Sequence, residues 1–206
     1  MVFSALNRNF AYRQISFKMK VYVFLADGFE TVEALAPIDI MRRAGLDVVT
    51  VSIMDTVAVT SAQQVMVMAD VLFEDVASFD DAQLLVLPGG MPGADYLDKF
   101  EPLRRLLVAH HEKGGRLAAI CAAPMVLGHL GLLRGRRATC YPGFETHLDG
   151  ADYTAELVTC DGTITTACGP GAAMAFGYEL VGQLLSEDVA ESLREGMRYK
   201  QLMEGK

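Results

Sequence analysis

"GGRLAAICAAPMVLGHL", residues 114–130, is the stretch that decides the fold. Gly114-Gly115 closes a helical segment, "RLAAIC" reads as a short buried strand, and the residues after it run at helical spacing through Leu130. A strand passing into a helix with almost no connection is the unit of an α/β protein. Cys121 stands at that corner. In a buried strand it would be filler, since cysteine is among the most buried residue types. On a sharp strand-to-helix turn it would be a nucleophile. Both readings stand on the local sequence.

The same alternation continues outward in both directions. "VYVFLA" (21–26) is a strand, followed by a helix in which Val32, Ala36 and Ile40 recur and which Gly45 ends. "LDVVTVS" and "LLVLPGG" (84–90) supply further strands, and "EPLRRLLVAHHEKGG" a helix. "ELVTCDGTITTACGPG" forms a hairpin turning on Asp161-Gly162. Two helices finish the chain, "AAMAFGYELVGQLL" and "EDVAESLREGMRYKQLM", with Ser186 as N-cap of the second. The expectation is a mostly parallel sheet covered on both faces, in a single domain over 19–206. Residues 1–18 carry Arg8, Arg13 and Lys18 and no acid. They are set apart as an extension: a frayed end, a start codon misplaced upstream of Met19, or a targeting segment.

Composition excludes several classes of partner. Half of the 206 residues are apolar and the net charge is −8, so neither nucleic acid nor an anionic membrane is expected to bind. Arg134, Arg136 and Arg137 read as a solvated loop. No run approaches the roughly 18 apolar residues that cross a bilayer. Cys121, Cys140, Cys160 and Cys168 lack CxxC spacing, which argues against zinc and for reduced thiols in a cytoplasm. No metal or cofactor is expected.

In open parallel sheets ligands collect beyond the carboxyl ends of the strands. The turns that matter are therefore Gly28–Glu33, Pro88–Gly93, Cys121–Pro124 and Gly169–Gly171. Cys121 would face the first amides of its helix, which together with the helix dipole favour the thiolate. Ala122 and Ala123 leave it uncrowded, and Pro124 suits a first helical turn. This resembles a nucleophile elbow without the G-x-S-x-G glycines. Glu33 precedes Pro37, which cannot donate to the Glu33 carbonyl, so a kinked or irregular helix would aim the carboxyl into the crevice. A protonated Glu33 would there hydrogen-bond the thiolate, with Glu30 as competitor for the role. Gly90, in "LPGGMPG", either makes a tight turn or offers its N–H to an oxyanion. Of the histidines, His110 and His111 read as surface residues and His129 lies within a helix. Only His147, in a loop, can swing toward the crevice as a base.

Four strings, "ADGFETVEALAPIDIMRRAG", "LLVLPGGMPGA", "RLAAICAAP" and "CGPGAAMAFG", occur in order and at family-like spacing, so that residues 20–204 resemble the ThiJ/PfpI superfamily, in its parkinsonism-associated deglycase-like branch. The resemblance implies a flavodoxin-like three-layer sandwich, similar to class I glutamine amidotransferases, and a homodimer. It further implies Cys121 as the reactive thiol, Glu33 as its protonated partner and Gly90 as a backbone donor. The departures are specific. The protease-like branch has a histidine after the cysteine, where this chain has Ala122. Deglycase-like relatives have a pocket histidine before a proline, where this chain has Tyr141. An arginine of some relatives is also missing, with Ala62-Gln63 nearby and Cys168 before "GPG". Peptidase activity is therefore not expected, and Tyr141 would donate a hydrogen bond to a bound carbonyl rather than act as a base, its ordinary pKa being about 10.

Two functions fit these residues. In the first, the Cys121 thiolate adds to a small reactive carbonyl such as a glyoxal, or to an early adduct of one, and Glu33 moves the proton. In the second, Cys121 is a sensor or chaperone thiol that is oxidised without turnover.

Overall fold

The computed structural model describes residues 20–203 and Gly205; the extension assigned to 1–18 lies outside them. The strands are β1 (Lys20–Leu25), β2 (Asp47–Ser52), β3 (Ala58–Thr60), β4 (Met66–Met68), β5 (Val71–Leu72), β6 (Ala82–Leu87), β7 (Arg116–Ile120), β8 (Arg137–Ala138), β9 (Asp152–Tyr153), β10 (Val158–Asp161) and β11 (Ile164–Ala167). The helices are α1 (Thr31–Arg43), α2 (Gly93–Lys99), α3 (Glu101–Glu112), α4 (Pro124–His129), α5 (Ala173–Leu184), α6 (Glu187–Gly196) and α7 (Tyr199–Met203).

Seven strands form the central sheet in the order β10-β11-β7-β6-β1-β2-β5, parallel throughout except for the antiparallel edge pair β10–β11. Stripped of its two edge strands this is the flavodoxin-like order 2-1-3-4-5, with the switch point between β1 and β6. Successive side chains of a strand face opposite ways, and the core divides accordingly. Val21, Val23 and Leu25 of β1 pack with α1, α5 and α6, whereas Tyr22 and Phe24 pack with α2, α3 and α4. The expected three-layer sandwich is therefore present. Its central strands read as unbroken apolar runs because both faces are covered.

Several local expectations are corrected. The helix after β1 continues unbroken through Pro37 rather than being irregular. Only the Glu33 carbonyl loses its usual donor, and α1 is held by close packing on α5, where Gly177 lets Ile40 and Pro37 approach. Glu30 is the N-cap of α1, its carboxylate accepting from the Glu33 N–H at 2.7 Å, which removes it as competitor. The final helix is broken into α6 and α7 at Arg198, whose φ of 63° no helix accommodates. Ser186 does cap α6, accepting from the Val189 N–H at 3.4 Å. His110 is buried rather than exposed, its ring packed on Gly115.

Candidate active site

Cys121 follows the last residue of β7 and adopts φ 66°, a left-handed conformation that costs an L-residue roughly 1–2 kcal/mol. Two backbone hydrogen bonds hold it there: its N–H donates to the Ala167 carbonyl at 2.8 Å, and its own carbonyl accepts from the Tyr141 N–H at 2.8 Å. The chain thus turns within one residue and lifts the side chain off the end of the sheet, which is the elbow geometry expected. Ala122 and Ala123 are buried beneath the turn, so a larger residue such as histidine at position 122 would displace packed neighbours.

Glu33 reaches the same point from α1. Its side chain is fully buried, its Oε2 accepts from the Gly89 N–H at 3.0 Å, and its Oε1 has no hydrogen-bond partner. Gly89 is the wedge between the two groups. A Cβ there would lie 2.6 Å from the Cys121 Cβ and 2.6 Å from Glu33 Oε2, so only glycine lets the β6 loop pass. Gly90, at φ 89°, packs equally tightly on the Gly28–Glu30 backbone, and the Glu30 N–H donates to the Gly89 carbonyl at 2.8 Å. Sequence reasoning placed Gly89-Gly90 at the pocket but gave the backbone-donor role to Gly90 alone, whereas it is Gly89 whose N–H meets Glu33. The signal for it was the doubled glycine of "PGG".

Burial pushes the Glu33 carboxyl up to about 7; the Cys121 side chain draws it down, the Glu30 charge pushes it up and the Gly89 N–H draws it down. Burial, followed by the charge and hydrogen bond of Glu33, also pushes the Cys121 thiol up. This corrects the expectation that helix amides alone would lower it. The Ala122 and Gly90 N–H groups do favour the thiolate, but α4 is only six residues long and burial outweighs them. Two adjacent buried acids cannot both ionise readily, so their protons leave in separate steps that belong to the pair.

The other residues fall on two sides of this centre. The Tyr141 backbone is bonded to Cys121, and its half-exposed ring lies against Gly169. His147 is not at the crevice. Its Nδ1 pairs with His129 Nε2 at 3.1 Å, and His129 Nδ1 pairs with Asp98 Oδ2 at 2.9 Å. No helix among the described residues is long and apolar enough to cross a membrane.

Known proteins share this fold. The model of the DJ-1/PfpI family matches residues 19–183. The Parkinson disease protein 7 homolog of Danio rerio is 31% identical over 184 residues, covering 88% of this chain and 97% of that protein. A deglycase of Pyrococcus abyssi is 32% identical, with 79% and 98% covered. DJ-1 homolog B of Arabidopsis thaliana is 39% identical over 83% of this chain, which spans only 39% of that longer protein. Among solved structures, oxidized Toxoplasma gondii DJ-1 superposes with a TM-score of 0.82 at 34% identity, covering 87% of this chain and 97% of that one. Drosophila melanogaster DJ-1beta gives 0.83 at 31%, with the same coverage. By sequence and by fold, the chain belongs to the DJ-1/PfpI family.

Proposed function

We propose that this chain acts on small reactive carbonyls such as glyoxals, or on their early adducts, with Cys121 as nucleophile and Glu33 as proton partner. The observation that carries this is the Glu33 carboxyl: fully buried, anchored through Oε2 and left open at Oε1 beside a strained cysteine. The reactive form is the tautomer with the proton on Glu33 and the charge on sulfur. Burial of the thiol weighs against it, while the Ala122 and Gly90 N–H groups and a hydrogen bond from the neutral Glu33 carboxyl favour it. The thiolate adds to the aldehyde carbon, the carbonyl π pair moves to oxygen, and Glu33 protonates that oxygen. The Gly90 and Ala122 N–H groups, which already face the Cys121 sulfur, would hold the developing oxyanion, with the Tyr141 hydroxyl as a further donor. Glu33, now a carboxylate, takes the C–H proton of that carbon. The proton returns to the neighbouring carbonyl carbon through an enediol, leaving a thioester. Water hydrolyses the thioester to a hydroxy acid and restores the Cys121 thiol. When an adduct is the substrate, its amine or thiol leaves as Cys121 bonds to the carbon. Methylglyoxal consumption, corrected for buffer-catalysed adduct loss, tests this. Equal rates for wild type and Cys121→Ala would remove it.

A sensor thiol is the second reading, supported by the histidines being engaged elsewhere and by a relative whose structure is described as oxidized. It predicts selective oxidation of Cys121 by mild peroxide without carbonyl turnover; oxidation spread evenly over all four cysteines would count against it. Under either reading the protein works as a homodimer in a reducing cytoplasm. Exposed Val32 and Leu35 on α1, and Val65, Met66 and Met68 at the adjoining hairpin, suit a second copy of the chain. Leu35→Glu with Met66→Glu should yield monomers in sedimentation; an unchanged mass would place the contact elsewhere.

A further inference from the structure

The carboxyl end of the sheet holds more than one thiol. Ile120 and Ala167 are register partners on the parallel strands β7 and β11, so Cys121 and Cys168 are the next residues along two paired strands. The Cys121 N–H donates to the Ala167 carbonyl at 2.8 Å. Standard covalent dimensions then keep the Cys121 and Cys168 Cα atoms within about 7 Å of each other. Disulfides span Cα separations of about 4.4–6.8 Å, so the backbone spacing is compatible with a bridge between this pair. Cys168 packs against the core cluster that contains Cys121, and its thiol feels the charge of the same Glu33 carboxyl. Its partial exposure leaves it open to solvent reductants, whereas Cys140 is fully buried. Cys160, exposed on the edge strand β10, shows what exposure alone would do.

We propose that Cys168 is a resolving cysteine: it captures oxidised Cys121 as an intramolecular disulfide and so protects it from over-oxidation. This rests on the reading of Cys121 as the reactive thiol and adds a second step to it. A hydroperoxide is the oxidant. The Cys121 sulfur attacks its O–O bond, an S–O bond forms, and the peroxide is reduced to water or an alcohol, leaving Cys121 as sulfenic acid. The Cys168 sulfur then attacks the Cys121 sulfur; the S–S bond forms, the S–O bond breaks, and the departing hydroxide takes the Cys168 proton and leaves as water. An external dithiol supplies the two electrons that restore both thiols.

The test treats the full chain with one equivalent of hydrogen peroxide and blocks the remaining thiols. Digestion with trypsin and an Asp-directed protease, without reductant, then separates the four cysteines for mass analysis. The expected result is a Cys121–Cys168 linked peptide pair in at least half of the oxidised protein, lost on dithiothreitol treatment. In Cys168→Ser the link is absent and Cys121 becomes labelled by dimedone. Cys121 recovered as sulfenic or sulfinic acid beside alkylated Cys168 in the wild type would overturn the resolving role, and so would a link from Cys121 to Cys140. If Cys121 stays alkylatable while the other cysteines oxidise, the reactive-thiol reading itself falls, and the resolving role with it.

Discussion

Two clusters of titratable groups sit on this sandwich, and residue type alone would choose the wrong one. Asp98, His129 and His147 form a relay with contacts of 2.9 and 3.1 Å, the arrangement a search for acid–base chemistry would select. That chain lies on the partly exposed flank of α4, Asp98 is also neutralised by Arg104, and its far end rests against Phe144. Cys121 and Glu33 offer no histidine, yet they are buried, one is conformationally strained, and both stand at the carboxyl ends of strands beside the topological switch point. Reactivity follows from where the fold puts a group and what it withholds from that group. The relay has its partners; the Glu33 Oε1 has none.

Substitutions can break or sharpen this contrast. The largest effect is expected from Cys121→Ser, which should lower methylglyoxal turnover by at least ~100-fold. His129→Gln combined with His147→Gln should leave turnover within about twofold, because neither side chain touches the reacting atoms. Equal losses in the two variants would move the chemistry to the relay. Gly89→Ala comes next. Its Cβ would enter the space held by Cys121 and Glu33, so it should cost about 1–3 kcal/mol of stability in a denaturant titration. Activity should fall with it, by about tenfold at a temperature where the variant is still folded.

Glu33→Gln separates proton chemistry from packing. A carboxyl whose pKa rises from 4.5 to about 7 on folding stabilises the fold fully below pH 4.5. That contribution is lost as the pH climbs through 7, a difference of about 3 kcal/mol by pH 8. The neutral amide should flatten this dependence and make the variant more resistant than wild type to urea at pH 8, while turnover falls. Parallel pH profiles for the two proteins would mean that folding does not shift the Glu33 carboxyl. The smallest effect is reserved for Tyr141→Phe. Loss of one half-exposed hydroxyl donor should raise KM or lower kcat about fivefold, near 1 kcal/mol. No change would confine Tyr141 to its backbone hydrogen bond with Cys121.

The sheet was legible because its central strands are covered on both faces and appear as unbroken apolar runs; "LLVLPGG" and "RLAAIC" needed no partner information. The β3–β4 hairpin was not, since three-residue strands with exposed Met66 and Met68 carry no apolar periodicity. Cys121 and Glu33 were named from their turns. The left-handed φ of Cys121 was hidden because it is imposed by Ala167 and Tyr141, residues 46 and 20 positions away. Gly89 looked like an ordinary turn glycine because close approach of α1 and β7 is a tertiary fact. The place of His147 was left open for the same reason: a loop histidine has many reachable partners, and His129 is visible only once α4 is built. The thiol pKa was misjudged because a helix end can be read from sequence whereas desolvation cannot.

The shared proton is the centre of this account, and the pH dependence of Cys121 alkylation tests it most directly. Iodoacetamide modification of Cys121, followed by peptide mass in wild type and Glu33→Gln, should give a wild-type half-maximal rate below about pH 8.5, the value of a free thiol, because a neutral Glu33 carboxyl hydrogen-bonds the thiolate. The variant should be displaced upward by at least one unit. Half-maximal rates at or above about 8.5, the value of a free thiol, and unmoved by the substitution, would return Cys121 to the role of core filler.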